Sequence, residues 1–337
     1  GLIATGPLTP QMSYRLALQQ YRSDGYIDNI FLERDDVNDQ RESTARLRLR
    51  WQMDDASVDM TALYVDLDNG YDAFSLDNNR KTRSDEPGHD RQESSALSLG
   101  YSRTLAATTL ETRLSLAQTE ADYRYDEDWT YVDFHPWGWS STDHYSRDRD
   151  SYSAEVRWLS GEASRLWGDS TDWVAGAYLL DNDEDLGRVV TYIPGAFASR
   201  YDTRSMALFA QLDTQLSDKL RLSYGARVER RDTDYEDNNG VSYDRDRTLW
   251  GGQVTLQYIA MENSMLYARV ARGYRANGIN ADILASAAIE ADPGTRAMLN
   301  GAGDFDAEYL DNLELGWKHR SDDGSWQTRL ALFYMDR

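Results

Sequence analysis

The sequence predicts an all-β protein in which antiparallel strands form an up-and-down transmembrane β-barrel. Three observations predict this fold. Apolar and polar residues alternate with period two in one segment after another. The connections between these segments are alternately long and short. The mean hydropathy is only -0.71, which suits a barrel because each of its strands presents lipid-facing side chains at only every second residue.

The composition excludes several other classes of protein. The chain carries 58 acidic and 36 basic residues, a net charge of -22, which would repel a nucleic-acid backbone. It has no cysteine, so disulfides, thiolate metal sites and cysteine nucleophiles are excluded. No apolar run approaches the ~18 residues of a transmembrane helix, and Gly1 is not followed by a signal-peptide pattern. The 22 tyrosines and 10 tryptophans suit a membrane–water interface.

The alternation gives each predicted strand one apolar and one polar face. In the segment at 45–51, Leu47, Leu49 and Trp51 point one way and the intervening arginines point the other. A charged face needs water or polar partners, so we expect the polar face to line a wet interior. Thirteen strands are predicted, over residues 11–21, 45–53, 57–68, 94–103, 109–120, 150–160, 172–181, 204–213, 220–231, 247–258, 264–274, 307–319 and 325–337.

The lengths of the connections predict a barrel with tight turns at one rim and elaborate loops at the other. Within the last long connection, residues 281–299 are predicted to hold a short helix that ends near Pro293. Long connections are predicted over 22–44, 69–93, 121–149, 182–203, 232–246 and 275–306. Short connections are predicted at 54–55, 105–108, 214–219, 260–264 and 321–324, with 161–171 as a longer exception.

The strand count predicts that the chain is part of a larger barrel. A closed single-chain bacterial barrel has an even number of strands, whereas thirteen is odd, and the last segment stops in mid-alternation. We therefore expect residues 1–337 to form part of a single barrel domain.

Four segments in order resemble TonB-dependent outer-membrane receptors, and together they sample the chain from end to end. They are "GPLTPQMSYRLALQQYRSDGYIDN" at 6–29, "SMALFAQLDTQLSDKLRLSYGARVERRDTDY" at 205–235, "YARVARGYRANGIN" at 267–280 and "DAEYLDNLELGWKHRSDDGSWQTRLALFYMDR" at 306–337. The third segment is similar to the family's Arg-Gly-Tyr/Phe signature and the fourth to its Asn-X-Glu-X-Gly-X-Lys signature.

The resemblance implies a barrel of about 22 strands, of which about 13 are predicted here, filled by an N-terminal plug domain that is absent from this chain. It implies location in the outer membrane of a Gram-negative bacterium, contact with lipid and lipopolysaccharide, and coupling to the TonB–ExbB–ExbD system through the plug. The expected function is energy-coupled uptake of a scarce nutrient, with a ferric siderophore or other iron complex as the first expectation. Carbohydrate or cobalamin uptake, a passive porin and a soluble β-rich binding module remain as alternatives.

Two regions contain candidate ligand-binding residues, both expected in extracellular loops. An exposed aromatic cluster can stack on a flat chelate or a sugar, but the same cluster can also be a loop packed on itself or on its neighbours. Arg275 and Asn277 follow a strand in which Leu266, Ala268 and Val270 are expected to face lipid. The candidates in the first region are Tyr131, His135, Trp137, Trp139, His144 and Tyr145.

The sequence indicates no metal site, no cofactor and no catalytic centre. His135 and His144 have aspartates nearby, but their spacing matches no structural zinc pattern. The segment at 181–187 imitates the start of a calcium loop, yet Leu186 stands where glycine is required. Phosphate-binding loops, nucleophile elbows and a spaced Ser/His/Asp set are missing from the sequence, so we expect a protein that is not an enzyme.

Overall fold

A computed structural model describes residues 1–192 and 195–337 as one large antiparallel sheet with short accessory elements. Fourteen strands pair with their sequence neighbours without any crossover, in the order β1-β2-β4-β5-β7-β8-β9-β10-β11-β12-β13-β14-β17-β18. The strands are β1 (Leu2–Pro7), β2 (Met12–Ser23), β3 (Asp28–Asn29), β4 (Gln40–Gln52), β5 (Ala56–Tyr71), β6 (Lys81–Thr82), β7 (Gly88–Thr104), β8 (Thr108–Asp126), β9 (Thr142–Ser160), β10 (Thr171–Val190), β11 (Phe197–Ser217), β12 (Leu220–Asp237), β13 (Ser242–Met261), β14 (Ser264–Arg275), β15 (Gly278–Ile279), β16 (Asp304–Phe305), β17 (Glu308–Arg320) and β18 (Gln327–Asp336).

All thirteen predicted strands are present, and the meander is confirmed. Sequence analysis missed β1, which pairs with β2 from Leu2↔Leu18 to Pro7↔Ser13. Its six residues include Gly6 and Pro7, which interrupt the alternation on which the prediction relied. Fourteen strands are an even number, so the argument from an odd strand count is wrong.

Several strands extend farther toward the long loops than predicted. Residues 182–190 continue β10 and residues 197–203 begin β11, so the predicted long connection over 182–203 is wrong. The predicted connection over 232–246 is likewise mostly strand. These extensions have charged side chains, which hid the alternation. Cross-strand ion pairs stabilise them, including Asp181–Arg204 at 2.9 Å and Arg230–Asp246 at 3.1 Å.

The strand register places apolar residues level with apolar residues, and polar with polar, on neighbouring strands. Leu47 of β4 is level with Leu16 of β2 and Ala62 of β5, and the neighbouring arginines of β4 lie on the opposite face, where Arg50 pairs with Asp59 at 2.7 Å. The apolar face is exposed along its whole width, as expected for a surface that contacts lipid. Its exposed residues include Leu97, Leu99, Leu114, Leu116, Val156, Leu179, Leu208, Val228, Val254, Leu266, Val270, Leu313 and Leu332.

The apolar face has an upper limit on each strand, where charged side chains replace aliphatic ones. On β8 the face carries Leu114 and Leu116 and then, beyond Gln118, Glu120 and Asp122. A bilayer is crossed by ~9–11 residues of a tilted strand, so the 19 residues of β8 exceed the membrane-spanning length. The loop-side ends of the long strands therefore lie outside the bilayer.

The two C-terminal signature segments meet as one cluster on the polar face. Tyr267 donates a hydrogen bond to Glu314, its ring carries the Lys318 ammonium at 5.1 Å from the centroid, and it covers Gly316, where an added Cβ would lie 2.1 Å from ring atoms. Tyr267 thus lies on the polar face, while Leu266 and Val270 are exposed on the apolar face, as expected for residues that face lipid. Glycine is needed at 316 because the ring occupies the space of a side chain.

The last long connection folds as two helices rather than the single predicted one. These are α1 (Ala281–Ile289) and α2 (Pro293–Gly301). The first helix ends at Ile289, close to the predicted stop near Pro293, but the second helix was not predicted. Asp292 accepts a hydrogen bond from the Thr295 amide at 2.7 Å and caps this second helix, which has Pro293 in its first turn. In the described residues, neither helix nor any other reaches the length and apolar character needed to cross a membrane.

A pair of arginine substitutions on β8 tests the assignment of the faces. Leu116→Arg would place a cation on the apolar face, between the bilayer midplane, where it costs ~2–4 kcal/mol, and the interface, where it costs ~0–1 kcal/mol. We therefore expect a loss of about 1–2 kcal/mol, whereas a cation on the other face is tolerated. Ala117→Arg is the matched control, because Ala117 lies opposite Ala96 and Ser151 on the polar face. Urea unfolding of the full-length receptor in lipid vesicles measures both, and equal losses would contradict the assignment.

The Tyr267–Gly316 contact generates a second test in the same unfolding assay. Gly316→Ala should destabilise the barrel by about 1–3 kcal/mol through overpacking. Gly273→Ala is the control, since nothing lies within 4 Å of a Cβ built there. Tyr267→Ala should restore most of the stability of the Gly316→Ala variant. No restoration in the double variant would mean that Gly316 is required for another reason.

Candidate ligand-binding site

Three long loops at one rim are held together by buried polar contacts. We call loops 24–39, 72–87 and 127–141 the three-loop cap. The Asn29 amide nitrogen donates to Asp72 Oδ2 at 2.9 Å and to the Ser84 carbonyl at 2.7 Å, and the Thr82 hydroxyl donates to Asp72 at 2.5 Å. Burial raises the pKa of Asp72, and the hydrogen bonds that it accepts from Thr82 and Asn29 offset part of that rise. The first two loops are therefore joined through one buried carboxylate.

The third loop of the cap is organised by two aspartates at its start. Asp126 accepts the amides of Asp128 and Trp129 at 3.1 and 3.2 Å, and Asp128 accepts the Thr130 hydroxyl at 2.8 Å and the Ser141 amide at 2.7 Å. Burial raises the pKa of Asp126 to about 7, and the nearby Asp128 carboxylate contributes in the same direction. The loop therefore depends on a carboxyl group that titrates near neutral pH.

An aromatic cluster joins the cap to the strands below it, with tyrosines on the polar face of β5, β8 and β9 and with Phe74 and Trp129 from two loops of the cap. The Tyr123 ring lies 5.0 Å from Tyr71, 5.7 Å from Tyr125 and 6.2 Å from Tyr145. Phe74 stacks on Trp129 at 4.8 Å with the planes 7° apart. The six rings form what we call the aromatic wall: Tyr71, Phe74, Tyr123, Tyr125, Trp129 and Tyr145.

A buried ion pair supports one end of the aromatic wall. The Asp143 side chain is 1% exposed and accepts two hydrogen bonds from Arg188, at 3.0 and 2.8 Å. Its Oδ2 also accepts the hydroxyls of Tyr125 at 3.1 Å and Tyr145 at 3.0 Å. The Arg188 guanidinium lies 5.0 Å from the centroid of the Tyr145 ring. A bidentate pair of this kind fixes side-chain geometry, so the tyrosine rings are held in place.

This arrangement provides flat aromatic surfaces beside an arginine that is 29% exposed. Aromatic faces stack on planar rings, and the Arg188 guanidinium, which already makes two hydrogen bonds to Asp143, helps to fix those faces in place. The wall therefore offers a fixed surface on which a planar small molecule can stack, at the loop end of the polar face. Acid–base or nucleophilic chemistry is not suggested by the groups that meet here.

The structure divides the predicted loop candidates of the first region. Tyr131 stacks on Phe31 of the neighbouring loop at 4.3 Å, with the rings 5° apart. His135 lies edge-on to Phe134 at 5.2 Å and 6.4 Å from Trp139. Trp137 is 84% exposed. Packing between loops thus engages Tyr131, whereas Trp137 is presented to solvent.

His144 and Tyr145 belong to β9, so their assignment to a loop is wrong. Strand β9 begins at Thr142, eight residues before the predicted start at 150. The charged residues at 147–150 hide the alternation there, so the sequence did not reveal this part of the strand. Adjacent strand residues point to opposite faces, so Tyr145 joins the aromatic wall and His144 lies on the outer face, where it contacts Asp122 at 2.8 Å. The two residues do not contribute to one site.

Arg275 and Asn277 lie elsewhere on the rim. Arg275 is the last residue of β14 rather than part of a loop, and its guanidinium lies 5.2 Å from the Phe305 ring centroid. Asn277 is 3% exposed. Five strand spacings, roughly 24 Å along the sheet, separate β14 from β9. The two predicted regions are therefore not brought together by neighbouring strands.

Sequence analysis missed most of the aromatic wall. Tyr71, Tyr123 and Arg188 were assigned to connections, and their shared face appears only once the register of β5, β8, β9 and β10 is known. A signal was nonetheless present, because the segment 121–126 contains tyrosines at alternate positions, Tyr123 and Tyr125. This is the spacing of residues on one face of a strand.

A membrane-spanning barrel wall with long loops at one rim and an aromatic cluster on its polar face is typical of the class of outer-membrane receptors and pores. Within that class, residues 14–337 match the family model described as the TonB dependent receptor-like β-barrel. The chain belongs to the TonB-dependent receptor family. Proteins of this family are receptors of the bacterial outer membrane rather than enzymes, as the sequence predicted.

Curated relatives and solved structures are similar over nearly the whole chain. The pesticin receptors of Yersinia enterocolitica and Yersinia pestis are 26% identical over 353 residues, covering 98% of this chain and 47% of theirs. The chain thus spans about half the length of the curated relatives it matches. The ferric yersiniabactin uptake receptor FyuA from Yersinia pestis superimposes with a TM-score of 0.77 at 18% identity, covering 98% of this chain and 51% of that one. The ferric citrate transporter FecA gives 0.73 at 13% identity, covering 99% and 47%.

The raised pKa of Asp126 predicts a pH-dependent cap. The ordinary pKa of an aspartate is 3.8, whereas the pKa of Asp126 in the folded loop is about 7. Between about pH 4 and pH 7 the carboxyl group therefore loses its proton in the unfolded loop but keeps it in the folded loop. The free energy of unfolding of the loop falls as the pH rises through this range. The loss is complete above pH 7 and amounts to at most ~4 kcal/mol. Chymotrypsin cleaves unfolded segments, so the rate of cleavage in 127–141 is divided by the rate for an unfolded peptide at the same pH. This ratio should be at least about tenfold higher at pH 8 than at pH 5.

Two variants complete this test. Asp126→Asn keeps an acceptor for the two loop amides but cannot ionise, so its relative cleavage rate should not change between pH 5 and pH 8. Asp133→Asn alters an exposed carboxylate of the same loop and should behave like the wild-type protein. Equal pH dependence in all three proteins would contradict the assignment to Asp126.

Proposed function

We propose that this chain is the barrel wall of a receptor that takes up a ferric siderophore or another iron complex across the outer membrane. The observation that carries the proposal is the aromatic wall beside the Arg188–Asp143 pair, on the polar face at the long-loop rim. A chelate with planar rings can stack on the aromatic faces of this wall, which the Arg188–Asp143 pair holds in place.

Similarity to named receptors supports the same cargo class. The relatives include a ferric yersiniabactin uptake receptor and pesticin receptors, and further superimposable structures include a ferric citrate transporter and a ferric-catecholate import receptor from E. coli K12. These proteins share the fold with this chain. The choice of iron complex among these cargoes is part of the proposal.

We extend the proposal to energy coupling and to the membrane. The full-length receptor would engage the TonB–ExbB–ExbD system through a plug domain outside the residues described here. Above the apolar band, outward arginines such as Arg204 and Arg230 would contact lipopolysaccharide phosphates, since guanidinium groups bind phosphate bidentately. Their pairing with Asp181 and Asp246 leaves both 60% or more exposed at the side chain.

Among the predicted candidates, Tyr145 is proposed to contact the ligand as part of the aromatic wall. Trp137, Trp139 and His135 are proposed to contact it from the cap. Tyr131 serves the packing of the cap through Phe31. Arg275 and Asn277 are proposed to contact the ligand from the part of the rim at the end of β14, five strands away from β9.

Uptake of radioactive iron supplied as ferric yersiniabactin tests the proposal in iron-starved cells that express the full-length receptor. At limiting concentrations of the iron complex, Tyr123→Ala and Arg188→Gln should each lower uptake roughly tenfold or more, as expected if binding weakens by about 1.4 kcal/mol. Tyr123→Ala removes a stacking surface, and Arg188→Gln breaks the ion pair with Asp143 that holds the tyrosine hydroxyls. Tyr152→Ala is the control, since Tyr152 is an exposed tyrosine on the outward face of β9. Uptake should stop in cells without TonB.

The possible results of this experiment distinguish an incorrect cargo from an incorrect function. If ferric yersiniabactin is not transported but ferric citrate or a ferric catecholate is, the receptor function stands with a different cargo. If no iron complex is transported, or if uptake persists without TonB, the proposed function is wrong. A large, steady single-channel conductance of the intact protein would instead indicate a passive pore.

A further inference from the structure

Two histidines and an aspartate meet on the outer face of β7, β8 and β9. His144 Nε2 lies 2.8 Å from Asp122 Oδ2, and His89 Nε2 contacts the other oxygen of the same carboxylate. The two imidazole rings are 6.0 Å apart between centroids. Among the described residues, this is a set of three potential ligand atoms that all lie within 4.8 Å of one another.

Strand register, not sequence proximity, assembles this trio. His89 and His144 are both level with Arg124 of the intervening strand β8. Asp122 lies two residues along β8 on the same face, midway between the histidines. Each side chain therefore comes from a different strand but from one short stretch of the sheet, with backbones fixed by the ladder.

We propose that His89, Asp122 and His144 form a binding site for a divalent transition-metal ion of the Zn²⁺ type. Imidazole nitrogen with carboxylate oxygen is a ligand set that Zn²⁺ accepts, with bonds of 2.0–2.2 Å. Ca²⁺ and Mg²⁺ prefer oxygen ligands throughout. A fourth position would be taken by water or an external anion.

The present distances need little adjustment to hold such an ion. Ligands of a tetrahedral ion with these bond lengths are about 3.4 Å apart, compared with the 2.8 Å between His144 Nε2 and Asp122 Oδ2. The His144 and Asp122 atoms would move apart by roughly half an ångström. The His89 nitrogen would also move away from the Asp122 oxygen that it now contacts, and all three ligand atoms already lie within 4.8 Å of one another. The same atoms now point at one another, so the ion would replace hydrogen bonds between groups that already converge.

The surroundings are accessible and acidic. The side chains of His89, Asp122 and His144 are 21, 42 and 38% exposed, so an ion can reach them from solvent. An adjoining groove of about 550 Å³ is lined by Asp122, five further carboxylates and the single cationic residue Arg91. The carboxylates are Asp66, Asp68, Glu93, Glu120, Asp122 and Asp148. A surface of one sign concentrates counter-ions.

The neighbouring cations are already paired. Arg124, which is level with both histidines, pairs with Glu86, and Arg91, which is level with Asp122, pairs with Asp68 at 2.8 Å. The site also lies on the face opposite to the aromatic wall and above the apolar band, so an ion here would tie three strands together without contacting the proposed cargo. The inference is therefore independent of the uptake proposal.

The test is metal binding by the full-length receptor in detergent, after treatment with a chelator. Equilibrium dialysis against Zn²⁺, with bound zinc measured by mass spectrometry, should show one more equivalent for the wild-type protein than for His89→Gln or His144→Gln, whose affinity should fall at least about tenfold. The chain has four histidines, so His135→Gln and His319→Gln are matched controls and should keep that equivalent.

A second measurement needs no variant. Co²⁺ bound to the wild-type protein should give the visible absorption bands of a four-coordinate ion with nitrogen ligands, and Zn²⁺ should abolish them. The mobility of unheated protein on gels shows whether each variant is folded. If the wild-type protein binds no more zinc than the His89 and His144 variants, or if His135→Gln loses the same equivalent, the trio is only a hydrogen-bonded contact and the proposal is wrong.

Discussion

The backbone hydrogen bonding of the strand ladder is the constraint on which everything else in this molecule depends. A bilayer offers no partners to amide and carbonyl groups, so a chain that crosses it as strands must pair every strand with a neighbour. Here that pairing runs without a crossover from β1 to β18. Once the register is fixed, each residue has a face and a height, and the apolar band, the aromatic wall and the three-loop cap occupy different heights and faces of the same strands.

The ladder also explains how far sequence alone could reach. Within the bilayer each strand has lipid on one side and a wet interior on the other, so hydropathy alternates, and every strand of the large sheet from β2 onward was predictable. Outside the bilayer both faces meet water, and the alternation of hydropathy stops although the pairing continues. The ends of β10 and β11 were therefore taken for a loop. β1 escaped because Gly6 and Pro7 weaken its short pattern.

The candidate site was harder to predict, because it depends on contacts between strands that are distant in sequence. The aromatic richness of residues 123–145 was visible, and Tyr145 does belong to the aromatic wall. The partners of Tyr145 were not visible, since Arg188 joins it only through the β9–β10 register. The same holds for His144, whose apparent neighbours in sequence, Asp143 and Tyr145, point to the other face, while His89 comes from a different hairpin.

The buried contact of Asn29 with Asp72 has a consequence for where foreign peptides can be displayed on this protein at the cell surface. Insertions into loop 24–39 or 72–87 would pull apart a hydrogen-bonded carboxylate that serves both loops, and the disturbance would spread to the third loop through Phe31 and Tyr131. The tip at 238–241 is an exposed hairpin end with Gly240 at φ 83°. Exposed tips of this kind accept added sequence most readily, which makes this tip the better location for an epitope tag.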